Sequence, residues 1–588
     1  MARLPRWEPE NEQFWRETGS SIAWRTCAIT TFSLIFSFAT WFVMSAVVVR
    51  LPAIGFKFTT MELFWLAAIP GLASGTLRLI HSYFIPVLGT RPVVSIATII
   101  KLIPMVWLGY AVQDLNTTWT TFMVIGFLTG MGGGDFSSYM PSTSIFFPKR
   151  LQGVSMGIQA GLGNFGVSIV QFVTPWIIGF AALGTIVGGP QLFTKADAIK
   201  GAITVTKVAE DPTAVGVDCK KKDAKCVVTD VVINKPEWIP AIIVVKEGGV
   251  LKDVVLKETE TIKGITLDVK KDDKGKITEV VTTKGVKIDV TRNPAGAITD
   301  VTVKNVIKKG MWVQNAAFWY VPFLILAFIL CAVFLRSVTV PVRGFKGQFE
   351  ILSKKNRALT HTWNCTITYI CSFGSFSGYA AAFPMMIKVI YGGFDGGPDP
   401  LKYAYLGPLI GGLVRALTGP VFDKIGGSKG MHWTTLGQIL ACLALIFGGF
   451  LTPTELTWTA KFPGFIAVML FMFLMTGTNN AATFRQYPIV FAYSPAKGAQ
   501  MLGWTGAWAA FGPFVFTGLI GWAITSTGSA IPFFIGAAIY YGYSCFLNWY
   551  YYTRKGAERF DYGNSGGTWW DKLSDGDKEK MKQIDLHK

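Results

Sequence analysis

Charge is what this sequence has least of. Only 15% of its 588 residues are Asp, Glu, Lys or Arg, against about 25% in a soluble globular chain. Hydrophobic residues make up 51% of the chain, aromatic ones 14%, and the mean hydropathy is +0.40. The scarcity is regional: residues 195–309, roughly a fifth of the chain, hold 22 basic and 17 acidic side chains. The remainder is poorer still in charge and is expected to be a membrane domain.

Other absences narrow the function. No nucleophile–base constellation, metal-ligand set or phosphate loop is legible, so neither an enzyme nor a bound cofactor or metal is expected. Six cysteines, Cys27, Cys331, Cys365, Cys371, Cys442 and Cys545, stand singly in apolar stretches, where Cys serves as a small hydrophobe. Cys219 and Cys226 bracket a polar loop and can pair if that loop faces an oxidising compartment. The first 25 residues are polar, so no cleavable secretory signal is expected. A net charge of +19 does not indicate nucleic acid, because the basic residues sit in loops between apolar spans, as membrane orientation requires.

What is present is a series of about a dozen apolar stretches long enough to cross a bilayer. The first six fall near 26–50, 61–84, 92–113, 118–147, 153–187 and 312–336, the second six near 363–391, 402–422, 432–452, 461–484, 500–526 and 530–552. Alternate loops carry the positive charge: Arg3, Arg6 and Arg16; Arg91; Lys149 and Arg150; Arg336 to Arg357; Lys424 and Lys429; Lys497; Arg554, Lys555 and Arg559. The opposite loops offer Lys57, then mainly Asp114, Asp395, Asp399 and Glu455. Positive-inside reasoning therefore puts both termini in the cytoplasm. The expected organisation is a cytoplasmic segment 1–25, spans one to five over 26–188, an extracytoplasmic β-rich insert 189–311 and span six at 312–336. A basic cytoplasmic linker 337–360, spans seven to twelve over 361–553 and a cytoplasmic tail 554–588 follow.

Two six-helix halves joined by a basic linker suggest the major facilitator architecture, an all-α polytopic fold with a site between the halves. The loop after span eight, Gly419-Pro-Val-Phe-Asp423-Lys424-Ile-Gly426-Gly427-Ser-Lys429, resembles the signature loop of that superfamily. Asp423, Lys424, Gly426 and Gly427 are then expected to form a cytoplasmic gate loop that breaks and reforms during transport. Between spans five and six the pattern changes to alternating strands with turns at Asp273-Lys274-Gly275, Asn293-Pro294-Ala295-Gly296 and Gly248-Gly249. Gly264-Ile-Thr-Leu-Asp268-Val and Gly285-Val-Lys-Ile-Asp289-Val recur 21 residues apart, a small hairpin repeat.

A charge inside a span costs at least ~2.5–3.5 kcal/mol on insertion scales and calls for a reason. Arg78 lies deep in span two and Arg415 mid-way along span eight, corresponding places in the two halves. Neither has an acidic neighbour in sequence. A guanidinium is always charged and its forked donors match two oxygens at once, so such a pair points to a small planar oxyanion.

The helix Gly157-Ile-Gln-Ala-Gly161-Leu-Gly163-Asn164-Phe-Gly166 resembles the nitrate signature of the nitrate/nitrite porter (NarK-type) family. The strings around Arg78, Phe136, Ser144-Ile-Phe-Phe-Pro-Lys149, Tyr369 to Phe376 and Gly407-Pro408 to Arg415 resemble that family too. The likeness spans both halves and excludes the insert, the tails and most loops. It implies that Arg78 and Arg415 clamp the anion and that Phe136 and Phe373 sandwich its flat face. Tyr369 and Asn164 donate to the remaining oxygens, and Gly157, Gly161, Gly163 and Gly166 let helices approach closely. Two residues depart from the pattern. Asp135 stands beside Phe136 where an amide is expected, and His81 lies one turn after Arg78; either can carry a proton, or Asp135 can pair with a basic group such as Lys101.

The resemblance implies secondary active transport of nitrate and nitrite in the cell (inner) membrane, by exchange through alternating access, in a chain working as a monomer with the bilayer as its surroundings. The alternatives are a nitrate/proton symporter and, in another class, a receptor sensing a ligand through the insert. Against the receptor stands the short charged tail, which offers no output module.

Overall fold

The computed structural model describes residues 3–585 apart from 5, 183–186, 340–351, 353–358, 395, 564–566 and stretches between 199 and 282. Most of the predicted linker 337–360, Asp395, the turn Asp273-Lys274-Gly275 and the first repeat copy from Gly264 to Asp268 lie outside the described residues.

The chain is mostly helical. Among the described residues nine helices are long and apolar enough to cross a membrane. The three other stretches predicted to span fall on interrupted or less apolar helices. Span four is broken at Gly130 and Asp135 into Trp119–Thr129, Met131–Gly134 and Phe136–Ser144, and the triplet Gly132-Gly133-Gly134 in its short middle piece lets the backbone press onto its neighbours. A Cβ on Gly132 would overlap the Ser37 carbonyl, and one on Gly133 the Ser74 hydroxyl. Span eight is Leu401–Ala404 followed by Leu406–Ile425, its hydropathy diluted by Arg415, Asp423 and Lys424. The last span is Ile531–Asn548, continued by a π turn Trp549–Thr553.

Glycine governs how the two halves meet. Helix Thr60–Leu88, started by a capping box between Thr59 and Glu62, faces helix Gly512–Thr527. A Cβ on Gly71 would strike Pro513 and Phe514, and one on Gly75 would strike Phe511. Such contacts of small residues are how helices associate in lipid, where hydrophobic burial supplies no drive between them.

Between helices Lys149–Ile177 and Asn315–Phe318 the described residues form nine strands. β1 (Gln191–Ala198), β9 (Ile298–Met311) and β8 (Thr283–Arg292) make an antiparallel sheet in that order. β2 (Ile203–Ala209) pairs with β3 (Cys226–Ile233), β4 (Ile242–Glu247) with β5 (Val250–Leu256) and β6 (Val269–Lys271) with β7 (Ile277–Val280). The predicted turns at Asn293 to Gly296 and at Gly248 close hairpins, with φ of +83° at Gly296 and +57° at Gly248. Strands β1 and β9 run from Gln191 opposite Met311 to Ala198 opposite Lys304 and form a stem. Its root is pinned to the helices by the Trp312 N–H on the Ile178 carbonyl at 2.8 Å. A small apolar cluster of its own, including Val228, Ile242, Leu251 and Val303, underlies the strands.

Candidate functional site

Arg78 is buried, with 2% of its surface exposed. Its Nε donates to the Gly133 carbonyl at 2.8 Å and its Nη1 to the Gly506 carbonyl at 2.9 Å. The first acceptor lies in the short helix Met131–Gly134, just before the interruption of span four at Asp135; the second comes from helix Pro495–Ala509 of the other half. Nη2 has no partner among the described residues. No carboxylate among the described residues pairs with Arg78; instead its Cζ stands 4.8 Å from the Phe136 ring centroid, 5.3 Å from that of Phe373 and 5.4 Å from Trp41. Aromatic faces attract a cation without neutralising it.

Arg415 is 9% exposed. Its Cζ lies 4.9 Å from the Phe484 ring and 5.9 Å from the ring of Phe373, and no hydrogen bond or ion pair to it occurs among the described residues. Phe373 therefore lies against both arginines, one from each half, which bounds their separation at the sum of the two distances to its centroid. Tyr369 stacks on Phe373 at 6.0 Å. A π turn over Ile370–Gly374 joins helices Leu359–Tyr369 and Ser375–Ile390. Single π turns of this kind frequently mark functional positions.

Beside Arg415 is a narrow cleft, too tight in this state to admit a water molecule, lined by Asn164, Phe373, Phe376, Gly411, Arg415, Gly477 and Asn480. The Asn164 Nδ2 and both amide atoms of Asn480 are buried without a partner. An unsatisfied buried polar group costs about 1–3 kcal/mol, so the amides, Arg415 and the free Nη2 of Arg78 together form a set of donors awaiting an acceptor. Asn480, in Thr476-Gly-Thr-Asn-Asn480, was not singled out in the sequence. What betrays it is the pair of unpartnered amide atoms facing a cleft.

The signature glycines differ in role. A Cβ on Gly166 would overlap the Ile35 carbonyl and one on Gly163 would press on Leu34. On Gly161 it would meet Ala416 at an ordinary 3.5 Å, and on Gly157 nothing within 4 Å. Two of the four thus hold helix Lys149–Ile177 against helix Ser20–Val47, and Gly161 looks across to the other half.

His81 and Asp135 come together, though at a distance from ordinary hydrogen bonding: the Nδ1 to Oδ1 separation is 3.8 Å. Asp135 is 1% exposed and accepts from Lys101 Nζ at 2.5 Å and from Ser37 Oγ at 2.7 Å. Lys101 is itself wholly buried. The pairing of Asp135 with Lys101 is the one foreseen as the alternative to a proton site.

At the gate loop, Gly426 takes φ +97°, Gly427 begins helix Gly427–Phe447 and Lys424 stays exposed. Asp423 lies 3.7 Å from Arg485, whose other nitrogen is 3.5 Å from Asp561. Asp561 belongs to the tail. It is fully buried, accepts from the Gly427 N–H at 2.8 Å and from the Gly563 N–H at 2.9 Å. Arg559 beside it donates to the Val490 carbonyl at 2.9 Å and lies over Trp569. The tail is thus packed onto the gate loop, and only the Asp-x-Gly turn at Asp561 hinted at that. Cys219 and Cys226 are joined by a disulfide.

No protein-family model matches the chain. The protein named "Probable nitrate/nitrite antiporter NarK2" of Thermus thermophilus is 40% identical over 554 residues, covering 94% of this chain and 97% of that one. "Nitrate/nitrite transporter NarU" of Escherichia coli K12 is 27% identical over 575 residues, 93% of this chain and 96% of the other. "Probable nitrate transporter NarT" of Staphylococcus carnosus is 31% identical over 153 residues, 26% of this chain and 37% of that protein. Among solved structures, the xylose transporter XylE of E. coli in a partially occluded inward-open conformation aligns with 90% of this chain and 97% of its own, at 12% identity and a TM-score of 0.49.

Proposed function

The chain belongs to the nitrate/nitrite porter (NarK-type) family of the major facilitator superfamily, and from that premise we propose that it carries nitrate and nitrite across the membrane, exchanging one for the other at a site between its halves. The observation that carries this reading is the pair of unneutralised guanidiniums, Arg78 and Arg415, on either side of Phe373. A planar monoanion of three or fewer oxygens supplies acceptors to Arg415, to the free Nη2 of Arg78 and to the amides of Asn164 and Asn480. Phe136, Phe373 and Tyr369 keep water away, which strengthens each charged bond.

Counting the interrupted helices gives twelve crossings. Both termini are cytoplasmic and residues 189–311 extracytoplasmic, in an inner-membrane monomer. The distribution of Lys and Arg among the short loops supports this orientation.

Exchange follows from electrostatics. Two like charges in an empty site repel each other and are poorly solvated, so closing the halves around nothing is costly. A bound anion bridges them and removes the cost; a ligand drives such a change only by its different affinity for the two states. Proton symport through His81 and Asp135 is the weaker reading, because Lys101 already neutralises Asp135 at 2.5 Å. Counterflow of labelled nitrate against internal nitrite in proteoliposomes tests the proposal. Exchange is expected to continue with no pH gradient, and uptake that requires an inward proton gradient would overturn it.

A further inference from the structure

At the end of the molecule that bears the strands, the two halves are bonded by a buried Arg50 and a partly exposed Asp399. Arg50, just past helix Ser20–Val47, places its Nη2 2.8 and 2.7 Å from the two carboxylate oxygens of Asp399 in the second half. Asp399 also accepts from the Leu401 N–H at 3.1 Å, which fixes it at the start of the next helix. Close by, Lys388 on helix Ser375–Ile390 donates to the Val49 carbonyl at 2.6 Å. Both bonds run from the end of the first long helix to the far half. The halves of an alternating-access carrier part at one end at a time, so these bonds must break whenever this end opens.

The stem of the strands lies over the same place. Phe193 on β1 is buried and sets its ring 6.0 Å from the Arg50 Cζ. Lys309, its register partner on β9, approaches the other reach of that ring at 5.4 Å. Two residues along β1, Lys195 Nζ reaches the Gly397 carbonyl at 3.4 Å, in the loop that carries Asp399. One strand therefore touches both halves across the ion pair. An aromatic ring over the Arg50 guanidinium keeps water from that partner, while Asp399 stays 30% exposed, and partial shielding of this kind tightens an ion pair. Burial and the repulsion of Arg50 also lower the pKa of Lys309, as expected where several cations crowd one mouth.

We propose that the Arg50–Asp399 pair is the gate at the strand-bearing end of the carrier, and that the β1–β9 stem, through Phe193, is a clamp that biases this gate shut. The proposal rests on the carrier reading above, but it is read by a distance and not by a flux, so either can fail without the other. The test uses the full chain in liposomes with spin labels on Asn116→Cys and Leu456→Cys, exposed positions on short loops of the first and second half. Pulsed electron resonance measures the separation. The unmodified gate is expected to give mainly the short distance. Arg50→Ala and Asp399→Ala raise the share of a longer distance several-fold, Phe193→Ala does so to a smaller degree, and the swap Arg50→Asp with Asp399→Arg restores the short one. The swap also keeps the test decisive where a single substitution fails to insert. An unchanged distribution in Arg50→Ala and Asp399→Ala would overturn the gate. An unchanged distribution in Phe193→Ala alone would overturn the clamp.

Discussion

The guanidinium of Arg415 lies buried between Phe484 and Phe373 with no protein acceptor among the described residues. A group so placed in a membrane protein costs free energy until something binds it. The fork of the guanidinium, not its charge alone, is what a planar oxyanion uses. Arg78→Lys and Arg415→Lys keep the charge and lose the fork. Each is expected to weaken nitrate binding on the order of 10- to 100-fold, the worth of about 1.5–3 kcal/mol for a charged hydrogen bond, measured as the concentration for half-maximal exchange. These two residues were legible in the sequence because a charge in an apolar run stands out without any structure. Asn480 was not, since an amide in a small-residue helix has an ordinary structural use. The glycines offer a second test at this scale. Gly166→Ala forces a methyl onto the Ile35 carbonyl and is expected to lower stability by about 1–3 kcal/mol, seen as a reduced Tm, whereas Gly157→Ala, with open space at its Cβ, leaves Tm unchanged.

Elements position these residues through their interruptions. The interruption at Asp135 follows the Gly133 carbonyl that holds Arg78, and Asp135 itself sits against Lys101 and Ser37. The π turn at Ile370–Gly374 lies between Tyr369 and the helix Ser375–Ile390 and contains Phe373. The sequence indicated apolar spans at both places but not where they break, because hydropathy averages over the very residues that interrupt a helix. A buried pair such as Lys101–Asp135 costs more to halve than to remove. Asp135→Ala is accordingly expected to destabilise by about 3–5 kcal/mol by stranding Lys101, and the double variant Lys101→Met with Asp135→Leu to recover most of that loss in thermal unfolding. If the single variant were as stable as the unmodified protein, the pair would not be structural and the proton reading would gain.

Across the whole molecule, two helical halves meet along glycine-lined contacts, a strand-built stem covers one end and the tail is bound to the gate loop at the other. The halves and the strands were legible from charge and periodicity. The docking of the tail was not, because Asp561 and Arg559 read as solvated charges in a short polar segment, and only the packed neighbours Gly427, Val490 and Trp569 give them partners. The orientation makes a prediction of its own. If residues 189–311 face outside, Cys219 and Cys226 are oxidised in intact cells and become alkylated by a membrane-impermeant thiol reagent only after external reduction; free thiols reached only after the membrane is opened would reverse the orientation.

The central claim is that Arg78 and Arg415 hold one and the same anion, and equilibrium titration of the purified protein with nitrate tests it most directly. The account predicts one nitrate bound per chain, lost in Arg78→Gln and lost equally in Arg415→Gln, with the double variant no worse than either, as residues sharing one ligand behave in a double-mutant cycle. Binding at unchanged affinity in either single variant, or losses that simply add in the double, would contradict it.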